Sequence, residues 1–435
     1  MRDGSFPSSG RYAASEHSTF GVLDIGASKI TCFIAELVDG AIDGQDAEII
    51  GVGHQGVSGP TTSGLTGQAA VAAIKDAVAK AQKMAGREPA AWYAAVSGRH
   101  VVSRRIAVDL PLGDHPVTTE DLQDCYQQGR KLTENEKLRS LHVWQSSYAI
   151  DGHEGSGSPL GLTGTMLTSY MLGISACKTA IANLENCLEH CHIKPKGYIA
   201  APYAASQAVL QEEEKYLGSI CLDIGAHLTG FTLYNDNALV MSGAVALGSD
   251  HITRDIASVC ALDLQSAERA KTLYGTSFCA PGDETRHVNP DPAHAGKQLS
   301  VAELAEVIGP RMEEILQLVS RKIREAGLAP ERFNRTVLTG GGSQLQGLPE
   351  LVEAMQGGHV RVGRPLDLFG APEAVSGTPF SVCAGMIRHV AAERQRKPVL
   401  FPALEKFRAG SVPHPASFGG KNPLRKAAIW LRDHF

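Results

Sequence analysis

Two carboxylates carry the first chemical signal in this chain. Asp24, in Val22-Leu23-Asp24-Ile25-Gly26-Ala27-Ser28-Lys29, and Asp223, in Ile220-Cys221-Leu222-Asp223-Ile224-Gly225-Ala226, each close an apolar strand-like run and precede a glycine turn. A strand fixes the direction of the carboxylate, and a turn with little side chain lets backbone N–H groups approach a phosphate. A third cluster, Val337-Leu338-Thr339-Gly340-Gly341-Gly342-Ser343, follows another apolar run. Two such hairpins facing each other across a cleft would hold the phosphates of a nucleotide and a water-shelled, carboxylate-bound Mg²⁺.

The elements that would position these groups follow from spacing. Apolar runs at 20–24 and 31–37 flank the first turn, and 47–52 extends the sheet. Ala70, Ala73, Ile74, Ala77 and Ala81 recur at helical intervals and predict a helix over Gln68–Ala85. Gly51-Val52-Gly53-His54-Gln55-Gly56 matches a dinucleotide fingerprint, but a Gly, Pro and Thr-rich loop stands where the helix should start, so that reading is set aside. After a strand at 91–96, the pattern of residues 98–175 changes to alternation over 101–110, a helix from Thr119 and strands at 141–150 and 166–174. Glu120 and Asp121 suit the dipole in the first turn of that helix. This β-α-β-β order reads as a self-contained insertion.

Helices are expected at 177–192 and 204–214, with a strand at 197–201 between them. Cys187, His190, Cys191 and His192 surround one helix end instead of two converging segments, a poor arrangement for four-coordinate zinc. The second Asp-Ile-Gly turn leads into a hairpin around Asn235-Asp236-Asn237, then helices at 251–260, 264–274 and 301–326.

A chain of 435 residues exceeds one ordinary core and implies several compact units. A formal charge of −5 provides no basic field, which argues against nucleic acid as main partner. The nine cysteines show no framework spacing, as in a reducing cytosol. No apolar run reaches the roughly 20 residues of a membrane span, and residues 1–19, rich in Ser and Gly, read as a disordered tail without a signal-peptide core.

With these residues in hand, the chain resembles the actin-like ATPase superfamily and, within it, the bacterial FtsA cell-division family. The superfamily likeness rests on the two Asp-Ile-Gly turns as phosphate loops and Gly340 to Ser343 as adenosine loop. The narrower one rests on Tyr148-Ala149-Ile150-Asp151-Gly152, Pro159-Leu160-Gly161-Leu162-Thr163-Gly164, Pro202-Tyr203-Ala204-Ala205, Asp250-His251-Ile252-Thr253-Arg254-Asp255 and Ala267-Glu268-Arg269-Ala270-Lys271. The resemblance implies an α/β, actin-like (ribonuclease H-like) fold of two lobes, with the inserted β-α-β-β unit in place of the usual outer subdomain of lobe one. It implies inner subdomains at 20–97 plus 378–395 and at 176–247 plus 328–377, an outer subdomain at 248–327, and a flexible linker at 396–421.

By position, the resemblance implies nucleotide contacts at Asp24, Gly26, Ser28, Lys29, Asp223, Gly225, Thr229, Gly248, Asp250, Glu268, Lys271, Gly340, Gly341, Gly342 and Ser343, with ATP and Mg²⁺ as ligands. Asp24 and Asp223 would reach the metal through water. The family's partners are the tail of the tubulin-like protein FtsZ, further copies of itself in a filament, inner-membrane lipids and later division proteins. Arg311, in Ile308-Gly309-Pro310-Arg311, is where the FtsZ tail would be received. The expected place is the cytoplasmic face of the bacterial inner membrane at the division site.

The second phosphate loop departs from the family pattern Asp-x-Gly-Gly-Gly-Thr-Thr, since Ala226, His227 and Leu228 follow Gly225. If the two lost glycine positions need left-handed backbone, Ala226 and His227 each cost on the order of 1 kcal/mol or more, Leu228 removes a hydroxyl, and ATP binds weakly with little or no hydrolysis. If the loop adapts, ATP still binds.

The end of the chain carries a helix signal, with Asn422 as cap and Pro423 at the first position. Leu424, Ala427, Ala428, Leu431 and Phe435 share one face with Trp430 beside it, and Arg425, Lys426 and Arg432 occupy the polar arc. That distribution suits a helix lying in the headgroup layer of an anionic membrane. A small-molecule kinase on the same fold is the competing reading; it shares the phosphate loops but needs neither the terminal amphipathic helix nor the insertion.

Overall fold

A computed structural model describes residues 19–38, 46–57, 68–113, 115–279, 282–290, 298–366 and 368–395. Of the tail predicted at 1–19, Thr19 is instead the buried first residue of a strand, where it continues the pairing of the first sheet; residues 1–18, the linker at 396–421 and the helix at 422–435 lie outside the described residues.

The chain opens with strands β1 (Thr19–Ile25), β2 (Lys29–Leu37) and β3 (Ala47–Gly56), helix α1 (Gln68–Ala85) and strand β4 (Trp92–Val96). Helix α1 buries Ala70, Ala73, Ile74, Ala77, Val78 and Ala81. It lies so close to β3 that a Cβ on Gly53 would fall 1.9 Å from the Ala77 carbonyl oxygen, and one on Gly51 2.3 Å from that of Ala81. The fingerprint-like glycines thus serve helix-on-sheet packing, and β3 runs through them to Gly56 instead of stopping near residue 52.

The insertion contains β5 (Val102–Pro111), α2 (Thr119–Thr133), β6 (Leu138–Ile150), β7 (His153–Gly155) and β8 (Met166–Cys177). Its sheet order is β5-β8-β6-β7. The expected loop after residue 152 thus includes one further short strand. Ile106, Val108, Leu122, Cys125, Val143, Leu167 and Met171 form its own core under α2, which a Thr118–Asp121 capping box starts.

Then come α3 (Lys178–Glu189), β9 (Pro195–Ala200), α4 (Ala201–Val209) and α5 (Glu212–Leu217). One helix was expected over 204–214; two form, because Leu210 is extended and buried and the Gln211–Glu214 capping box begins a new helix. The remainder is β10 (Ser219–Ile224), β11 (Thr229–Asn235), β12 (Ala238–Val245), α6 (Ser249–Val259), α7 (Leu264–Tyr274), β13 (His287–Val288), β14 (Leu299–Ser300), α8 (Val301–Glu325), β15 (Arg335–Thr339), α9 (Leu348–Gln356), β16 (His359–Val362) and α10 (Ser381–Gln395).

Two five-stranded sheets, β3-β2-β1-β4-β9 and β12-β11-β10-β15-β16, repeat one topology. In each, the first two pairings are antiparallel and the last two parallel. The repeat extends to register: Asp24 lies opposite Thr31, and Asp223 opposite Gly230, each seven residues on.

Helices α4 and α10 cross between these sheets. A Cβ on Gly385 would fall 1.6 Å from the carbonyl oxygen of Ala204, and Ala204, Ala205, Ala208 and Ala384 around the crossing are fully buried. Small residues let the backbones approach this closely, and the approach fixes how the two lobes meet. The insertion is docked at this hinge by His142 of β6, whose Nε2 accepts the Ala200 N–H at 3.2 Å and whose ring stacks on Trp144 and contacts Tyr203 and His389. Its other edge meets lobe two, where the Ser103 hydroxyl donates to Ser242 O at 2.7 Å and accepts the Ser242 N–H at 2.9 Å.

Gly385→Ala forces the helices apart and is expected to lower stability by about 1–3 kcal/mol in denaturant unfolding. The control Gly56→Ala, whose Cβ meets open space, should leave the midpoint unchanged.

Candidate functional site

The two aspartates end matching hairpins. The turn after Asp24 closes with Gly26 N–H donating to Lys29 O at 3.0 Å, and the turn after Asp223 with Gly225 N–H donating to Leu228 O at 2.9 Å. The third loop comes against the second hairpin at Gly340, where φ is +81° and a Cβ would fall 2.5 Å from Asp223 Oδ1. Only glycine satisfies both the left-handed backbone and the contact.

The segment leading into α10 ties these pieces together. Gly340 N–H donates to Thr378 O at 3.3 Å, the Thr339 and Ser381 hydroxyls lie 2.6 Å apart, and Lys29 Nζ donates to Pro379 O at 2.9 Å. The same ammonium sits 3.5 Å from the centre of the Phe380 ring. Sequence reading did not single out Pro379 or Phe380 because their contacts with Lys29 span 350 residues.

Charge is concentrated where these loops meet. Burial pushes the Asp24 carboxyl up to about 6, partly offset by the Lys29 ammonium. Burial and then the Asp24 charge push Asp223 up to about 7, with Lys29 again opposing. Burial lowers the Lys29 ammonium, while both aspartates resist that shift. The two carboxylates therefore feel each other, and Lys29 is the cation that faces both. Thr31 Oγ1, opposite Asp24 in the ladder, and Thr378 Oγ1 are buried hydroxyls without a partner among the described residues.

This donor set fits a hydrated divalent cation with phosphates. Among the described residues no group of three or more His, Cys, Asp or Glu could cage a metal, so a cation between Asp24 and Asp223 would keep water or phosphate oxygens as its other ligands, as Mg²⁺ prefers. The N–H groups of Ala27, Ser28, Ala226 and His227 have no acceptor among the described residues, which leaves both turns ready for an anion. Neither Ala226, His227 nor Leu228 has positive φ. The strain anticipated from the missing glycines is therefore absent, because this turn never enters the left-handed region.

Other anticipated residues divide into two groups. Gly248 caps α6, whose Ser249 and Asp250 N–H groups donate to Gly225 O and Ala226 O at 2.9 and 2.8 Å, so that helix end supports the second loop from outside. Asp250 Oδ2 lies 3.1 Å from His227 Nε2 and 3.0 Å from Arg254. The Thr229 hydroxyl donates to Leu247 O at 2.9 Å and is buried. Further along α6 and α7, Lys271 Nζ reaches Glu268 at 2.6 Å, Thr253 at 2.8 Å and Ser249 O at 3.2 Å. Gly341 borders open space, and Ser343 Oγ turns back to Gly340 O at 2.7 Å.

Arg311 is not a free cation. Its Nε and one terminal nitrogen hold both oxygens of Asp255, at 2.5 and 3.0 Å, and its other nitrogen contacts Glu314. An incoming acidic tail would have to replace those carboxylates. No helix among the described residues is long and apolar enough to cross a membrane.

Comparison with known proteins bears on the family and the fold. Residues 220–385 match the family described as "Cell division protein FtsA", and residues 98–175 the "SHS2 domain inserted in FTSA". "Cell division protein FtsA" of Agrobacterium fabrum is 31% identical over 380 residues, covering 84% of this chain and 85% of that protein. The protein of the same description from Rhizobium meliloti is 30% identical over 433 residues, covering 95% and 94%. Among solved structures, the "PilM-PilN type IV pilus biogenesis complex" matches at 18% identity with a TM-score of 0.58, over 85% of this chain and 98% of the other. That likeness speaks for the actin-like fold alone.

Burying two acids makes a pH prediction. Their folded pKa values of about 6 and 7 exceed the ordinary 3.8, so the folded chain binds more protons and stability falls as pH rises through that window. Asp223→Asn should therefore stabilise the unliganded fold by about 1–3 kcal/mol near pH 8, with no gain near pH 4. Urea unfolding at both pH values checks this; a loss of stability near pH 8 would refute it.

Proposed function

This chain belongs to the FtsA family of cell-division proteins, and from that membership we propose that it is an actin-like membrane adaptor of the division ring. In this reading it polymerises, holds FtsZ filaments to the cytoplasmic face of the inner membrane and helps to bring later division proteins to the site. The observation that carries the reading is the insertion at 98–175, matched as a domain of this family and seated on a duplicated frame. A small-molecule kinase has no use for it. The amphipathic pattern of residues 422–435 supports the membrane part, and a filament would add avidity by presenting many such helices at once.

The cleft is proposed to take an adenine nucleotide. Gly26, Ser28 and Lys29 would receive phosphate from one side and Gly225 from the other, with Glu268, Lys271 and Gly340 to Ser343 toward the nucleoside. Asp24 and Asp223 would orient the hydrated Mg²⁺, which would supply the positive charge their mutual repulsion calls for. Little or no hydrolysis is expected, since Leu228 brings no hydroxyl to the second turn. An FtsZ tail would exchange with Asp255 and Glu314 at Arg311, which makes that surface a carboxylate-for-carboxylate switch.

Flotation with anionic vesicles tests the adaptor reading. The full chain is expected to rise with the vesicles, and a chain ending at residue 421 to remain at the bottom. A full chain that stays at the bottom would overturn the proposal and favour a soluble enzyme.

A further inference from the structure

The internal repeat bears on His227, which the family pattern leaves unassigned. By register, Gly26-Ala27-Ser28-Lys29 corresponds to Gly225-Ala226-His227-Leu228. The equivalence is structural, because both turns close through the same hydrogen bond from first residue to fourth. His227 thus occupies the place of Ser28, and Leu228 that of Lys29. The first turn carries a hydroxyl at Ser28 and, at Lys29, an ammonium that faces both aspartates; the second carries neither group.

What the second turn has instead is an imidazole already oriented. His227 Nε2 donates to Asp250 Oδ2 at 3.1 Å, since an ionised carboxylate can only accept. Arg254 holds the same oxygen from the next turn of α6 at 3.0 Å. The other ring nitrogen, Nδ1, has no partner among the described residues. With Nε2–H given to Asp250, Nδ1 is the nitrogen left for a ligand, and it donates to a phosphate oxygen when it carries a proton. Lys29 and His227 are the only basic side chains on the three loops.

We propose that His227, positioned by Asp250 and Arg254, is a second cationic phosphate-binding residue of this cleft, opposite Lys29, with the polyphosphate of a nucleotide as its ligand. The backbone amides of the turn remain, and His227 supplies by a ring nitrogen the side-chain donor that the family pattern provides through a hydroxyl. The proposal rests on the nucleotide reading of the cleft.

The test is calorimetric titration of the full-length chain with Mg-ATP and Mg-ADP, for the wild type, His227→Gly and His227→Gln. Losing one charge-assisted hydrogen bond should weaken binding about tenfold in His227→Gly. His227→Gln, which retains a donor without the charge, should fall between. Nitrogen NMR of the histidine side chains of the wild type gives a readout that a merely structural role would not move: the His227 Nδ1 signal should shift on nucleotide addition while that of buried His142 stays. His227→Gly binding as tightly as the wild type, or a His227 signal that does not move, overturns the inference alone. A wild type that binds neither nucleotide overturns the nucleotide reading, and the inference with it.

Discussion

The contact between Gly385 and Ala204 governs what the rest of the molecule can do. Two sheets of identical topology do not by themselves make a cleft; they must be held at a fixed separation with their hairpin turns toward each other. Helix α4 leads from the first sheet to the second, and α10 returns to lie across it, so this crossing is where the lobes meet. Because the backbones touch, the separation is set by covalent geometry instead of by deformable side chains. The same return brings Thr378, Pro379 and Phe380 against Lys29 and the third loop. One helix crossing therefore positions both the lobes and the charges.

Held at that distance, Asp24 and Asp223 disfavour each other's ionisation. Such a pair reduces stability in the absence of a ligand, and a fold selected for stability alone would carry amides here. Functional sites often depart from the stability optimum in this way. The unpartnered hydroxyls of Thr31 and Thr378 lie in the same region. Lys29 balances only part of the charge, and burial lowers its own readiness to stay protonated. The pair therefore keeps an excess of negative charge that a bound cation would relieve.

Local pattern made much of this legible. The Asp-Ile-Gly duplication, the α1 face and the start of α2 are short-range features, and each appears where spacing places it. The break between α4 and α5 depends on burial of Leu210, which no helical periodicity reveals. Backbone strain at Ala226 and His227 could not be judged from residue types, since the need for glycine depends on the turn, and this turn closes with ordinary φ. Arg311 was legible as a cation in a family-like segment but not as one already paired, because Asp255 lies 56 residues away in sequence. The Lys29 and Phe380 contact is more distant still. Long-range partners decide the electrostatics, and they are what a linear reading lacks.

The insertion shows how such partners act together. His142 ties it to the start of α4 through the Ala200 amide, while Ser103 ties its other edge to β12 of the second lobe. Arg105 adds a second tie there, donating to Ala326 O at the end of α8 at 2.9 Å. A unit fastened to both lobes cannot follow one without straining its bonds to the other. A rotation about the α4–α10 crossing would have to strain the Ser103 and Arg105 hydrogen bonds on one side or the buried aromatic cluster around His142 on the other. The insertion thus joins the lobe that carries Asp223 and Arg311 to the lobe that carries Asp24 by a second route, outside the α4–α10 crossing.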